Sequence, residues 1–164
     1  MARTAKPTAT KAALQQELTA LLEAQLAVLV TAHRATAEGS THEEARSEHS
    51  HDTRATEQSY LARGQAKRVA ELRDSLAALR SMPLSTGGED AAVGLGALVT
   101  LEDDDERRLV VWVAPAGGGS QLSGRIQVTT PLSGLGQELM GKEVGESVSS
   151  GGRAARELTI VRVE

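Results

Sequence analysis

The chain has 164 residues, enough for one ordinary domain or two small ones, with 40% hydrophobic residues and a net charge of −4. It has one Trp, one Tyr, no Phe and no Cys. These counts exclude disulfides, thiol chemistry and zinc–thiolate sites, and they argue against one thick core, because aromatic rings fill much of an ordinary one.

The first segment, MARTAKPTATKAAL, has basic residues but no continuous apolar stretch, so a secretory signal is not expected. No run in the chain approaches the roughly 18 apolar residues of a membrane span. The absence of Cys suits a reducing cytoplasm. Residues 11–37 read as a helix, because Leu14, Leu18, Leu21, Leu22, Leu26 and Leu29 recur at spacings of three and four among Ala, Glu and Gln. Thr8 or Thr10 is placed to cap its start, and Gly39 is a stop signal. At about 1.5 Å per residue this helix is a rod of roughly 40 Å.

Residues 40–52, STHEEARSEHSHD, carry four carboxylates and three histidines and almost nothing that can be buried. Thr41 to Glu44 has the spacing of a capping box, with Glu44 bonding back to the N-cap amide. Glu43 is free of that duty and favoured near a helix N-terminus. Glu48 lies one turn beyond Glu44 on a similar face, and Asp52 another turn on. A solvated charged tip explains this run; the functional alternative pairs Glu44 with Glu48. His42, His49, His51 and Asp52 invite a transition-metal reading. On a helix, however, residues 49 and 51 point about 200° apart and cannot chelate one ion together.

A second helix is expected over residues 43–79, where Val69, Leu72, Leu76 and Leu79 form a short heptad seam. Upstream, Tyr60 and Leu61 are its only large apolar residues, and Tyr60 is expected to pack inside the hairpin. Arg63, Lys67 and Arg68 form a basic cluster, which an ordinary solvated helix face would also present. The two narrow stripes would pair antiparallel across a turn at residues 39–40, giving a coiled-coil hairpin over 1–82 with a leucine-rich root and a polar tip.

Residues 83–92 read as a linker, with Pro83, Gly87 and Gly88 breaking the helical pattern. The charge also changes here. Residues 1–80 hold 11 Lys/Arg and 10 Asp/Glu, a net of +1, while residues 81–164 hold 7 and 12, a net of −5. A strongly basic nucleic-acid surface is not evident. Over 93–164 the period falls to two. ALVTLED and RRLVVWVA read as strands joined by an acidic turn, with Asp103 to Glu106 its solvated end, and GRIQVTT and ARELTIVRV read as two more. PAGGGSQ reads as a flexible loop, and PLSGLGQELMG as a short helix at most, given Gly134 and Gly136. Four or five strands and one short helix make a small α+β domain. Gly136-x-x-x-x-Gly141-Lys142 matches a P-loop through its lysine, but Glu143 stands where Ser or Thr should hold Mg²⁺. Gly141 ending a short helix and entering a turn is the better account.

TPLSGLGQELMGKEVGESV, residues 130–148, resembles the signature segment of the Gre transcript-cleavage factors, GreA and GreB. GGRAARELTIVRVE resembles that family's last strand, and VGLGALVTLEDDDERRLVVWV its first hairpin. EQSYLARGQAKRVAELRDSL echoes its second helix more loosely. The resemblance implies an FKBP-like β domain over 93–164 that docks at the rim of the RNA polymerase secondary channel, with Pro131, Gly141 and Lys142 in the docking segment. It implies a helical hairpin that enters the channel, where tip carboxylates help hold Mg²⁺ at the polymerase active site for cleavage of backtracked RNA. Counting back from Tyr60 places Glu44 near the family's tip aspartate, while the family's glutamate falls at Ser47, next to Glu48. The residues this implies for cleavage are Glu43, Glu44 and Glu48, with Glu44 and Glu48 on the metal and Arg63, Lys67 and Arg68 toward RNA or polymerase.

The expected protein is thus a monomeric, cytoplasmic accessory factor of RNA polymerase. It is not an enzyme alone, binds no cofactor alone, has no membrane partner, and meets the nascent RNA 3′ end indirectly. One rival keeps the docking and loses the cleavage, as a channel regulator or inhibitor. Another is a prolyl isomerase with a coiled-coil arm, which would need an aromatic-lined pocket from Trp112 and Tyr60. A third is a plain interaction module.

Overall fold

The computed structural model describes residues 10–44, 53–84, 91–150 and 156–164. Two helices, α1 (Lys11–Glu44) and α2 (Thr53–Ser81), precede six strands: β1 (Leu98–Glu102), β2 (Arg108–Val113), β3 (Gln121–Leu122), β4 (Ile126–Thr129), β5 (Ser147–Ser149) and β6 (Glu157–Val163). A short helix, α3 (Gly134–Leu139), follows β4. This is the expected α+β order. Compactness divides the chain into two units, one of Met1–Thr19 with Ala78–Glu164 and one of Ala20–Ala77. The expected division was a hairpin over 1–82, a linker over 83–92 and a β domain over 93–164, and residues 85–90 of that linker lie outside the described residues.

In the helical unit Leu22, Val69 and Leu76 are buried, and Leu26, Leu29 and Leu72 are half-buried. Three sequence expectations change here. Gly39 does not stop α1, which runs through it to Glu44. A glycine inside a helix costs only about 1 kcal/mol relative to Ala, which a helix of this length can absorb. The Thr41 to Glu44 capping box is therefore not a helix start, and α2 begins at Thr53 rather than near residue 43. Tyr60 does not pack inside: it is 68% exposed, and Leu61 is exposed beside it. Tyr60 precedes Val69 by nine residues, which at about 100° each turns it to the side opposite that buried valine.

The larger unit holds the root of both helices and the sheet. Thr10 caps α1, its Oγ1 accepting from the Ala13 amide at 3.3 Å. The Gln15 side-chain amide donates to the carbonyls of Leu79 at 2.7 Å and Met82 at 3.4 Å, tying the start of α1 to the end of α2 and the residue after it. Leu14, Leu18, Leu79 and Met82 are buried.

The sheet order is β3-β4-β2-β1-β6-β5. All neighbours are antiparallel except β2 and β4, which run parallel with Val110 opposite Ile126 and Trp112 opposite Val128. Val99, Leu101, Val111, Val113, Leu158, Ile160 and Val163 belong to one cluster, with Leu139 of α3 against it. Ile160 and Val163 are three residues apart, an odd spacing that strict alternation would send to opposite faces. A register shift against β1 at Thr100/Leu101 lets both join the cluster. Trp112 is fully buried, its indole N–H donating to the Gly96 carbonyl at 3.3 Å.

The glycine-rich connection after β2 is tied rather than free. Gly119 N–H donates to Val128 O at 2.9 Å, and Val128 N–H to Ser120 O at 2.8 Å. Gly117 has φ +78°, and a Cβ there would stand 2.6 Å from Leu18 Cδ1. Gly117→Ala should therefore destabilise by about 1–2 kcal/mol from the left-handed backbone alone, with a further packing cost. In a Leu18→Ala background that packing cost should vanish, so denaturant melts should show non-additive losses. Strict additivity would mean that Leu18 does not constrain Gly117.

Candidate functional site

The signature segment is built around Ser133. Its Oγ accepts from the Gly136 amide at 3.0 Å, capping α3, and donates to the Thr130 carbonyl at 2.8 Å. The Thr129 hydroxyl lies 2.7 Å from the same Oγ. With the serine proton on Thr130, Thr129 supplies the proton of that contact. The helix start is thereby folded back on the strand that precedes it. Gly136 is required by the same closure, since a Cβ there would fall 1.8 Å from the Thr130 carbonyl oxygen. Its role is close backbone approach and not a phosphate cradle.

Gly141 has φ +79° and leaves α3 in the left-handed conformation expected after a helix. Its amide donates to Val93 O at 2.8 Å, and the Val93 amide returns a bond to Lys142 O at 2.7 Å. Lys142 Nζ meets Glu146 Oε1 at 2.9 Å, and Glu146 Oε2 accepts from the Glu143 amide at 2.7 Å. Lys142 and Glu146 thus clasp the turn between α3 and β5. Pro131 is half-buried at the head of the segment, and Leu132 beside it is 87% exposed. The three residues expected in docking, Pro131, Gly141 and Lys142, bracket one compact segment with α3 between them.

The tip is less complete. Glu43 and Glu44 are the last two residues of α1. Glu48, His49, His51 and Asp52 lie outside the described residues. Among the described residues no group of three or more His, Asp or Glu is arranged to hold a metal ion. Arg63, Lys67 and Arg68 are exposed on α2, with Lys67 3.7 Å from Glu71. The aromatic pocket of an isomerase does not form from the two rings expected to line it: Trp112 is inside the core and Tyr60 is out on α2.

Sequence reading missed Glu17, whose carboxylate accepts from the Ser123 amide at 3.0 and 3.2 Å and from its hydroxyl at 3.1 Å. No local pattern signals a contact between residues 106 positions apart. It also missed a shallow groove beside β5, lined by Glu138, Ser147, Ser149, Arg156 and Glu157 with Val148.

The Lys142–Glu146 bond raises the lysine pKa and, with the Glu143 amide, lowers that of Glu146. A lowered carboxylate stabilises above its ordinary range and loses that effect as pH falls through its folded value; a raised lysine stabilises below its ordinary range and loses it as pH rises. The clasp is therefore intact across neutral pH. Protection of the Glu143 amide from hydrogen exchange should fall below the ordinary carboxylate range, and Glu146→Gln should remove that acid transition. An unchanged profile in Glu146→Gln would show that the clasp does not hold the turn. Gly136→Ala should cost at least about 1–3 kcal/mol in thermal or denaturant melts, because a backbone carbonyl must give way.

No family model matches the chain. Among curated proteins, it is 37% identical over 98 residues to the transcription elongation factor GreA of Nitrobacter hamburgensis, covering 57% of this chain and 60% of that protein. It is 36% identical over the same length and shares to GreA of Bradyrhizobium diazoefficiens. The chain's match thus spans 60% of the length of these relatives. Among solved structures, Gfh1 of Thermus thermophilus overlaps 89% of this chain and 94% of its own at 23% identity, with a TM-score of 0.40. A GreA/GreB factor from Nitrosomonas europaea overlaps 58% and 78% at 16% identity, with a TM-score of 0.36. These superpositions are too loose to bear on function. By sequence, 98 residues of the chain are similar to GreA transcription elongation factors.

Proposed function

We propose that the chain is a transcription elongation factor that binds the secondary channel of RNA polymerase and stimulates cleavage of backtracked transcripts. The observation that carries this reading is the 37% identity over 98 residues to a GreA factor. Two helices of 34 and 29 residues that bring Glu43 and Glu44 to the far end of α1 are consistent with it. On this reading the segment from Pro131 to Lys142 docks on the polymerase, and Arg63, Lys67 and Arg68 face RNA or the channel wall. Glu44 and Glu48, with Glu43 beside them, would lend carboxylate oxygens to Mg²⁺ held by the polymerase. Mg²⁺ takes one or two protein carboxylates and keeps several waters, so a partial ligand set from the factor is chemically sufficient. When bound, the ion activates water and stabilises the departing oxygen. The chain itself supplies charge and position, and the reaction belongs to the polymerase. A factor acting on a bacterial-type polymerase would work in the cytoplasm.

Glu43 and Glu44 close a helix at its C-terminal end, where the backbone dipole is negative. A second reading keeps the docking without the cleavage. It is favoured by the register of the acidic run, in which the position of the family's glutamate is Ser47 and the carboxylate stands at Glu48.

The test is addition of the purified protein to a backtracked elongation complex. Shortened RNA is the expected result; binding without shortening would favour the regulator. Glu44→Ala with Glu48→Ala should reduce stimulated cleavage by about 10- to 100-fold or more, the scale of losing a group that positions a metal, with polymerase binding retained. Loss of binding instead would make the tip a docking surface.

A further inference from the structure

Burial uses only part of the apolar surface of α1. Leu22, Leu26 and Leu29 are buried or half-buried, but a second set stands outside: Leu21, Ala24, Val28, Thr31 and Ala35 are all exposed. Val28 is 69% exposed. Their spacing of three, four, three and four is that of a coiled-coil seam. At about 100° per residue they fall within about 40° of one direction, and the stripe from Leu21 to Ala35 is about 21 Å long. Residues 24–33 hold no Asp, Glu, Lys or Arg, whereas residues 63–74 of α2 hold six. The hydroxyl on the stripe is bonded within its own helix, Thr31 Oγ1 donating to Ala27 O at 2.9 Å. A helix apolar on two faces has two faces to cover, and contiguous exposed apolar surface marks an interaction site.

The margins of the stripe bear on what covers it. Glu23 and Arg34 both stand on one side, about 100° to 120° from its centre line. Leu21 and Ala35 lie seven residues before and after Val28, and Glu23 and Arg34 lie five before and six after it. A second copy laid antiparallel, Val28 against Val28, therefore sets Leu21 over Ala35 and brings Glu23 of each copy to the level of Arg34 of the other. Large meets small, and acid meets base. Laid parallel, the copies would set Leu21 on Leu21 and put the charged margins on opposite sides. Arg34 pairs with Glu38 at 3.6 Å, both side chains largely exposed, the weak kind of pair that a second acid can share.

We propose that a second copy of this chain covers the stripe, as an antiparallel α1–α1 pair with its two-fold axis at Val28. Such a contact uses one self-complementary patch twice and closes. A foreign protein would need an uncharged face bordered by the reverse order of charge, which this chain carries itself. A stripe this short buries less than a standard interface, so the pair is weak and the expected monomer is its dilute form. None of this rests on the function proposed above.

The experiment uses the full chain without polymerase. In sedimentation equilibrium its mass should rise toward twice the monomer between about 1 μM and about 1 mM, the span of a weak association. Val28→Lys should hold it monomeric over that span. The exposed valine gives way there to a better helix former, so the fold should survive, as circular dichroism can verify. Arg34→Glu should weaken association by about 2- to 10-fold, and adding Glu23→Arg should restore it. The chain has no Cys, so introduced thiols report the geometry. On mild oxidation Val28→Cys should cross-link to itself, because at the axis the two Cα atoms come within the roughly 7 Å that a disulfide spans. Leu21→Cys should not cross-link to itself, but an equal mixture of Leu21→Cys and Ala35→Cys chains should give the mixed dimer. A constant monomer mass, a dimer unmoved by Val28→Lys or by the charge swaps, or Leu21→Cys joining itself would overturn the proposal. The outcome is independent of the cleavage assay.

Discussion

One turn of helix, from Gln15 to Leu18, is the hinge of the larger unit's architecture. Gln15 ties the start of α1 to the end of α2, Glu17 grips Ser123, and Leu18 fills the space above Gly117. Each contact draws on a different physical source: a side-chain amide bonded to backbone carbonyls, a charge-assisted bond to a backbone amide, and a void where a side chain is missing. Together they explain why the first helical residues and the last of α2 are counted with the sheet in one compact unit. Helices with so narrow an apolar stripe gain little from each other, and their order at the root depends on what grips them there.

A core without Phe follows the same economy. Trp112 gives the sheet its one large ring, and the apolar cluster that holds its neighbours Val111 and Val113 is built of Val, Leu, Ile and Ala alone. Such side chains fill a thin layer well, and the short α3 reaches it through Leu139. The signature segment gains its shape from this closeness. Gly136 can approach the Thr130 carbonyl only without a Cβ, and Ser133 then ties the two ends. The segment expected to dock on polymerase is rigid for reasons internal to the β part.

β6 was legible because buried and more exposed residues interleave along it, and β1 and β2 were legible as short Val/Leu-rich runs bounded by turn residues, although β2 is buried at three successive positions. Thr10 as the helix cap and Gly141 as the helix exit were legible for the same local reason. The strands β3 and β5, of two and three residues, carry too few positions to show a period. The hairpin turn was misplaced because Gly39 looked like a stop, and a long helix simply passes through it. Tyr60 was misread because its residue type suggested burial while its angular position did not. Glu17 and Ser123 were invisible because their partnership exists only after folding. At the candidate site, the residue types of the acidic tip and the basic cluster were readable, but their roles depend on a partner's geometry that no single chain encodes.

The sheet ends on both sides in its shortest strands, β3 and β5. A long, flat border would present a row of unpaired backbone groups to any passing chain, an invitation to stack and fibrillate. Two or three residues give a newcomer too few bonds to hold on. The same brevity that hid these strands from the sequence pattern leaves each of them little unpaired backbone to offer at the sheet's margins.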